Sequence, residues 1–184
     1  MLFYFVRHGQ TEANLNNVLA GSGIDSPLTP EGHSQAQRVA QVLRHKIPHP
    51  LHRLIVSNMT RTQQTASYIA QELGLKIELA ADFREWHLGE WEGRPYDQFA
   101  HLILGDGEPT QGESRRTFFD RVEKGWKEVH HETEPYLIVS HGGVWLALQD
   151  TLKIPRFRID NCQLVRVEAK PSAQDFVWAA TALT

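Results

Sequence analysis

The sequence predicts an α/β fold: one three-layer domain, with a mostly parallel sheet in the middle and helices on both faces. Two observations predict it. Short apolar runs of strand length, at residues 2–6, 54–56 and 137–139, alternate with longer segments whose apolar residues recur at helical spacing. The runs are continuous rather than alternating, as expected of strands buried on both sides. The 184 residues suit a single domain, 1–184, and are enough to bury a core without disulfides.

The elements follow in order. Leu2-Phe3-Tyr4-Phe5-Val6 reads as the first buried strand. Thr29-Pro30-Glu31 is a helix start: a capping hydroxyl, a proline in the first turn and an acid at the positive dipole end. Ala36, Val39, Ala40, Leu43 and Ile47 continue that helix, and Pro48 and Pro50 end it. Leu54-Ile55-Val56 is a second strand. Ala66, Ile69, Ala70 and Leu73 form the next helical face, with Gly74 as its C-terminal cap. A third strand is expected at residues 76–79. The stretch 92–113, rich in glycine and acids, is the least regular and should hold a short helix from Tyr96 to Leu104. Phe118, Val122, Trp126 and Val129 mark a further helix, Leu137-Ile138-Val139 a strand, and Val144, Leu148 and Leu152 the helix after it. The runs 164–167 and 176–178, joined across Pro171-Ser172, predict a terminal hairpin.

Composition narrows the function classes. Hydrophobic residues make up 41%, but no run approaches the ~20 residues of a membrane span. The N-terminal apolar run has no basic segment before it and is interrupted by Arg7 and His8, which makes a poor signal peptide. The one cysteine, Cys162, rules out an internal disulfide and fits a reducing compartment, so a cytoplasmic location is expected. A net charge of −3 offers no basic field for nucleic acid, and neither nucleic acid nor membrane is an expected partner. A homodimer is left open.

Three chemistry-bearing stretches stand at or just beyond strand ends. Arg7-His8-Gly9 follows the first strand. Ser57-Asn58-Met59-Thr60-Arg61-Thr62 follows the second, and Ser140-His141-Gly142-Gly143 follows the strand at 137–139. The last two also open helices. Parallel strands put all three at one edge of the sheet, where open α/β folds bind ligands. Two arginines, two histidines and two helix N-termini then converge, a set suited to a compact dianion such as a phosphoryl group. Most of the ten histidines, including His45, His49, His52, His130 and His131, read as ordinary surface residues. No dense acidic or His-x-His cluster suggests a metal, and the paired arginines would repel a cation from His8 and His141. No metal or cofactor is expected.

The run Val6 to Asn14 resembles the R-H-G-x-T-x-x-N signature of the histidine phosphatase superfamily, which includes phosphoglycerate mutases and related phosphatases. Further stretches match in order: Pro27-Leu28-Thr29 with Gly32 and Gln35-Ala36; Ser57 to Ala66; Glu85 to Gly93 as E-x-x-x-G-x-W-E-G; Gly112-Glu113-Ser114; Ser140 to Gly143; and Asn161. The resemblance implies a phosphoglycerate mutase-like fold with His8 as the phosphorylated nucleophile and Glu85 as proton donor. It also implies a phosphate pocket of Arg7, Asn14, Arg61, His141 and Gly142. A neutral imidazole is a good nucleophile near pH 7, the cations neutralise the phosphoryl oxygens, and a carboxylic acid can protonate the leaving alkoxide. Trp86 and Trp91 read first as packing residues, with Trp86 also a candidate to face substrate.

The chain departs from the family in four places. Gln10 and Asn58-Met59 replace frequent residues without touching the pocket set. The important departure is length: mutases carry a long insertion after the glutamate block, whereas here the path from Gly93 to Ser140 is short, and Leu88 stands where they tend to carry tyrosine. The expected activity is therefore hydrolysis of a small phosphorylated metabolite. A cofactor-dependent phosphoglycerate mutase is the second reading, and a catalytically silent phosphate-binding module the third. Specificity is expected from residues 15–26, 86–92 and 96–113, with Arg84, Arg94, Arg115 and Arg116 near the mouth.

Overall fold

Successive side chains of a strand face opposite sides of its sheet, and the first strand, β1 (Leu2–Arg7), sorts its residues accordingly. Phe3 and Phe5 belong to one buried apolar cluster, Tyr4 and Val6 to another. The strands β2 (Arg53–Ser57) and β4 (Tyr136–Ser140) divide in the same way: Ile55 and Ile138 on the first side, Leu54, Val56, Leu137 and Val139 on the second. A sheet apolar on both faces must be covered on both, so the chain forms three layers. These features come from a computed structural model that describes residues 1–130, 134–172 and 176–184.

The sheet has six strands in the order β3-β2-β4-β1-β5-β6. Here β3 is Ile77–Ala80, β5 Leu164–Pro171 and β6 Phe176–Ala182. The pairs β3-β2, β2-β4 and β4-β1 are parallel; β1-β5 and β5-β6 are antiparallel, the latter being the expected hairpin. In the parallel register Arg7 lies opposite Ser140. Helices α2 (Pro30–Lys46) and α3 (Thr60–Leu73) cover the face of Tyr4 and Val6. Helices α5 (Arg115–Val129) and α6 (Gly142–Thr151) cover the other. No helix among the described residues is long and apolar enough to cross a membrane.

The helix boundaries obey the local chemistry. Thr29 accepts from Gly32 N at 3.0 Å with Pro30 in the first turn, and Ser114 caps α5 by accepting from Thr117 N at 3.1 Å. Gly74 ends α3 in the left-handed region at φ 69°. The short helix α4 (Tyr96–Leu104) falls where it was expected. The sequence reading missed α1 (Glu12–Leu15), although Thr11 and Asn14 form a capping box across it. Its signal was the T-x-x-N spacing, with asparagine in the place usually held by Glu or Gln. Also missed were two single 3-10 turns, Ala81–Phe83 and Gly89–Trp91. His131, among the histidines read as surface residues, lies outside the described residues.

The loop after β1 is held against the start of α2 backbone to backbone. A Cβ at Gly9 would stand 2.5 Å from the Gly32 carbonyl oxygen, and one at Gly32 would run into the Gln10 carbonyl. Alanine is normally the better helix former by about 1 kcal/mol, but the contact here is with main chain that cannot swing aside. Gly32→Ala should therefore destabilise the protein by about 1–3 kcal/mol. The expected readout is a lower urea midpoint at unchanged slope; a midpoint equal to that of the unsubstituted protein would show that the two backbones can part.

Candidate active site

The carboxyl ends of β1, β2 and β4 deliver the three expected stretches to one edge of the sheet, as the parallel order requires. His8 N donates to Ser140 O at 2.9 Å, and the rings of His8 and His141 lie with centroids 5.2 Å apart. A cavity of about 710 Å³ opens there, and its wall includes Arg7, His8, Asn14, Arg61, Glu85 and Gly142. His141 is the exception among the expected pocket residues. It is fully buried beside His8 and does not form part of the cavity wall.

Each side chain is held by identifiable contacts. His8 Nδ1 lies 2.8 Å from the Gly9 carbonyl oxygen, and His8 Nε2 lies 3.3 Å from Arg61 Nε. A carbonyl can only accept and a guanidinium can only donate. The imidazole is thus neutral, with its proton on Nδ1 and its lone pair on Nε2. Arg61, only 2% exposed, donates to the Gly21 carbonyl at 2.9 Å and the Ile24 carbonyl at 3.2 Å, with Asp25 at 3.4 Å. Arg7 donates to the Ile159 carbonyl at 2.9 Å. Arg7 Nε and His141 Nδ1 are buried without a hydrogen-bond partner among the described residues. Buried polar atoms in this condition are rare, and these two belong to the cluster of cations and histidines at the sheet edge. His141 Nε2 meets the Ser57 hydroxyl at 2.8 Å. Asn14 Oδ1 takes Thr11 N at 3.1 Å and Asn161 Nδ2 at 3.2 Å, which orients its amide.

The two helix N-termini are partly occupied by the protein's own carboxylates. Asp25 accepts from Thr60 N with both oxygens, at 3.0 and 2.9 Å. Glu85 accepts from Gly143 N at 3.1 Å and from Trp86 N at 2.9 Å. A Cβ at Gly143 would meet Glu85 Oε1, so a larger residue there would push the carboxylate from this position. The expectation that both helix ends point at a bound anion is thereby corrected: Thr60 N and Gly143 N are engaged, while Gly142 faces the cavity.

Trp86 is packed as first read: it is 1% exposed, stacks on Phe118 at 5.3 Å and donates to the Glu113 carbonyl at 2.7 Å, and it also borders the cavity. Other expectations are corrected. Arg84, Arg94, Arg115 and Arg116 do not line the cavity. Arg84 donates to the Ser22 carbonyl, Arg115 to the carbonyls of Leu102 and Ile103, and Arg116 pairs with Asp120 along α5. The rim arginines are instead Arg156 and Arg158, from a segment the sequence reading passed over because it has neither motif nor periodicity. Glu92 was read only as part of the glutamate block. Its Oε1 accepts from Gly23 N and Leu88 N, both at 3.0 Å, pinning the loop that carries Gly21, whose carbonyl holds Arg61.

Fold and site together define an α/β protein with a buried, cation-lined pocket at the carboxyl edge of its sheet. Comparison with known proteins gives the family. Residues 3–181 match the model of the histidine phosphatase superfamily (branch 1), and the chain belongs to that family. It is 35% identical to a probable phosphoglycerate mutase GpmB of Serratia proteamaculans, covering 92% of this chain and 85% of that one. Among solved structures, a mycobacterial glucosyl-3-phosphoglycerate phosphatase superposes with a TM-score of 0.80 at 26% identity, covering 98% and 97% of the two chains. An alpha-ribazole phosphatase from Shigella flexneri gives 0.77 at 25% identity, covering 96% and 94%.

Burial, and next the Arg61 charge, hold the pKa of both His8 and His141 well below the ordinary imidazole value. Both are neutral when folded, yet would take up a proton near pH 6.5 once unfolded. Below that pH the unfolded chain binds more protons, so stability falls as pH drops from about 6.5 toward the lower folded values. Each histidine should contribute up to about 1.4 kcal/mol per pH unit. Urea unfolding between about pH 7 and pH 5 should show this slope, and His8→Asn should flatten it by one proton's worth. An unchanged slope would mean that folded His8 carries a charge.

Proposed function

We propose that the protein is a phosphomonoesterase that hydrolyses small phosphorylated metabolites through a phosphohistidine on His8. The observation that carries this reading is the fixed tautomer of His8: Nδ1 held by the Gly9 carbonyl, Nε2 with its lone pair at the cavity beside Arg61. Nε2 attacks phosphorus, the N–P bond forms and the P–O bond to the alcohol breaks. Arg7, Arg61, the Asn14 amide and Gly142 N are the donors proposed for the phosphoryl oxygens. Glu85, protonated, gives its proton to the leaving alkoxide. As carboxylate it then takes a proton from the water that attacks the phosphohistidine, which returns His8 and releases inorganic phosphate. No metal is assigned, because two guanidiniums already carry the positive charge of the pocket.

Phosphatase names among the structural relatives support hydrolysis. The names of the curated relatives support the second reading, a phosphoglycerate mutase. Two features of this chain favour water as acceptor. A mutase must shield its phosphohistidine until the second hydroxyl is in place, and the segment between Gly93 and Ser140 is short for that task. Leu88, apolar and on the cavity wall, offers no hydroxyl to a glycerate.

Rapid quench should trap acid-labile, base-stable phosphate on the peptide containing His8, and His8→Ala should abolish turnover. Label on another residue type would overturn the mechanism. Arg61→Ala should slow phosphorylation by about 10²-fold or more for every substrate. Glu85→Gln should cost far more with an alkyl phosphate than with p-nitrophenyl phosphate, whose phenolate leaves without a proton. Activity should survive excess chelator. An enolase-coupled assay with 3-phosphoglycerate and catalytic 2,3-bisphosphoglycerate should give little 2-phosphoglycerate; mutase turnover well above phosphate release would promote the second reading.

A further inference from the structure

The helix α4 has an apolar face, yet none of its residues is fully buried. Tyr96, Ala100, Ile103 and Leu104, at positions i, i+4, i+7 and i+8 of one helical face, line the cavity, and Leu104 is 54% exposed. Trp145 and Leu146 of α6 line it as well. These side chains make an apolar part of a wall shared with the phosphate donors and with polar residues such as Gln149 and Asn161. An apolar wall of this kind gains free energy only from an apolar ligand.

The rim adds charge. Arg156, Arg158 and Asp160 lie along it. Arg156 is engaged by the Leu104 carbonyl at 3.1 Å and by Asp150 at 3.5 Å. Arg158 makes no hydrogen bond or ion pair among the described residues. Its guanidinium lies over the Tyr96 ring, 4.7 Å from the centroid, so it is steadied by the same helix that supplies the apolar wall. Stacking on a ring face leaves the N–H edge of a guanidinium free to grip a planar or tetrahedral anion.

We propose that the substrate carries an apolar body between its phosphoryl group and a second negative charge, and that Arg158 takes that distal charge. This rests on the phosphomonoesterase reading above. A carboxylate and a second phosphate share the chemistry Arg158 recognises; an aryl or similarly bulky body fits the wall of α4 and α6, which a bare glycerol or sugar phosphate would leave wet.

The test compares phenyl phosphate, 4-phosphonooxybenzoate and 3-(4-phosphonooxyphenyl)propanoate, with kcat/KM measured for the unsubstituted protein, Arg158→Gln and Arg158→Lys. Each substrate is compared with itself across the variants, so leaving-group differences cancel. Arg158→Gln should lose about tenfold or more in kcat/KM on the better acid beyond its loss on phenyl phosphate. Arg158→Lys, which keeps the charge but not the fork, should recover part of the difference. Equal losses on all three substrates would mean that Arg158 only raises the general field of the pocket, and the distal grip would be overturned. His8-dependent release from phenyl phosphate is the control: without it for any of the three, the hydrolase reading itself fails and this inference falls with it.

Discussion

The parallel pairing of β1 with β4 is the constraint on which the site depends. Its register sets Arg7 opposite Ser140, so each strand ends one residue before a histidine. The bond from His8 N to Ser140 O continues the ladder one step past the strands and brings the two imidazoles together. A slip of one residue would turn Phe3, Phe5, Ile138 and their neighbours to the wrong face. The apolar sorting that stabilises the sheet therefore also aims the histidines.

Burying cations beside that pair is costly unless each finds partners. The protein answers with carbonyl oxygens more than with carboxylates. Arg61 is held by the Gly21 and Ile24 carbonyls and Arg7 by the Ile159 carbonyl; among the described residues Asp25 is the one carboxylate in ion-pair contact with Arg61, with Glu85 acting on it from farther off. Dipoles fix the guanidiniums in place without cancelling their charge. Burial first, and then the positive potential that remains, keep both histidines neutral. That potential is also what makes the pocket a place for an anion.

The loops that supply these carbonyls need support of their own, which the glutamate block provides. Glu92 ties Gly23 and Leu88 together, and Arg84 ties Ser22. Glu85, at the head of the same block, reaches across to Gly143 at the start of α6. Thus one short stretch braces the Arg61 cradle with one acid and presents a carboxylate to the cavity with another.

Much of this was legible in the chain. Strand and helix identities followed from apolar period, and the ends of α2 and α3 from Thr29, Pro30 and Gly74. The convergence of Arg7, His8, Arg61 and His141 followed from motifs at the ends of strands that had to be parallel. These are local signals, because period and capping depend on near neighbours in sequence. The sequence did not reveal the enclosure of His141 beside His8, or the occupation of Thr60 N and Gly143 N by Asp25 and Glu85. Nor did it reveal that Arg156 and Arg158, rather than Arg84, Arg94, Arg115 and Arg116, border the cavity. Each of these rests on contacts between residues far apart in the chain, and such contacts exist only once the layers have packed. By itself the sequence determined which chemistry-bearing side chains gather and at which edge of the sheet; only the tertiary structure decided which of those groups face the cavity, because burial and hydrogen-bond partners are properties of the packed molecule and not of the strand or helix a residue belongs to.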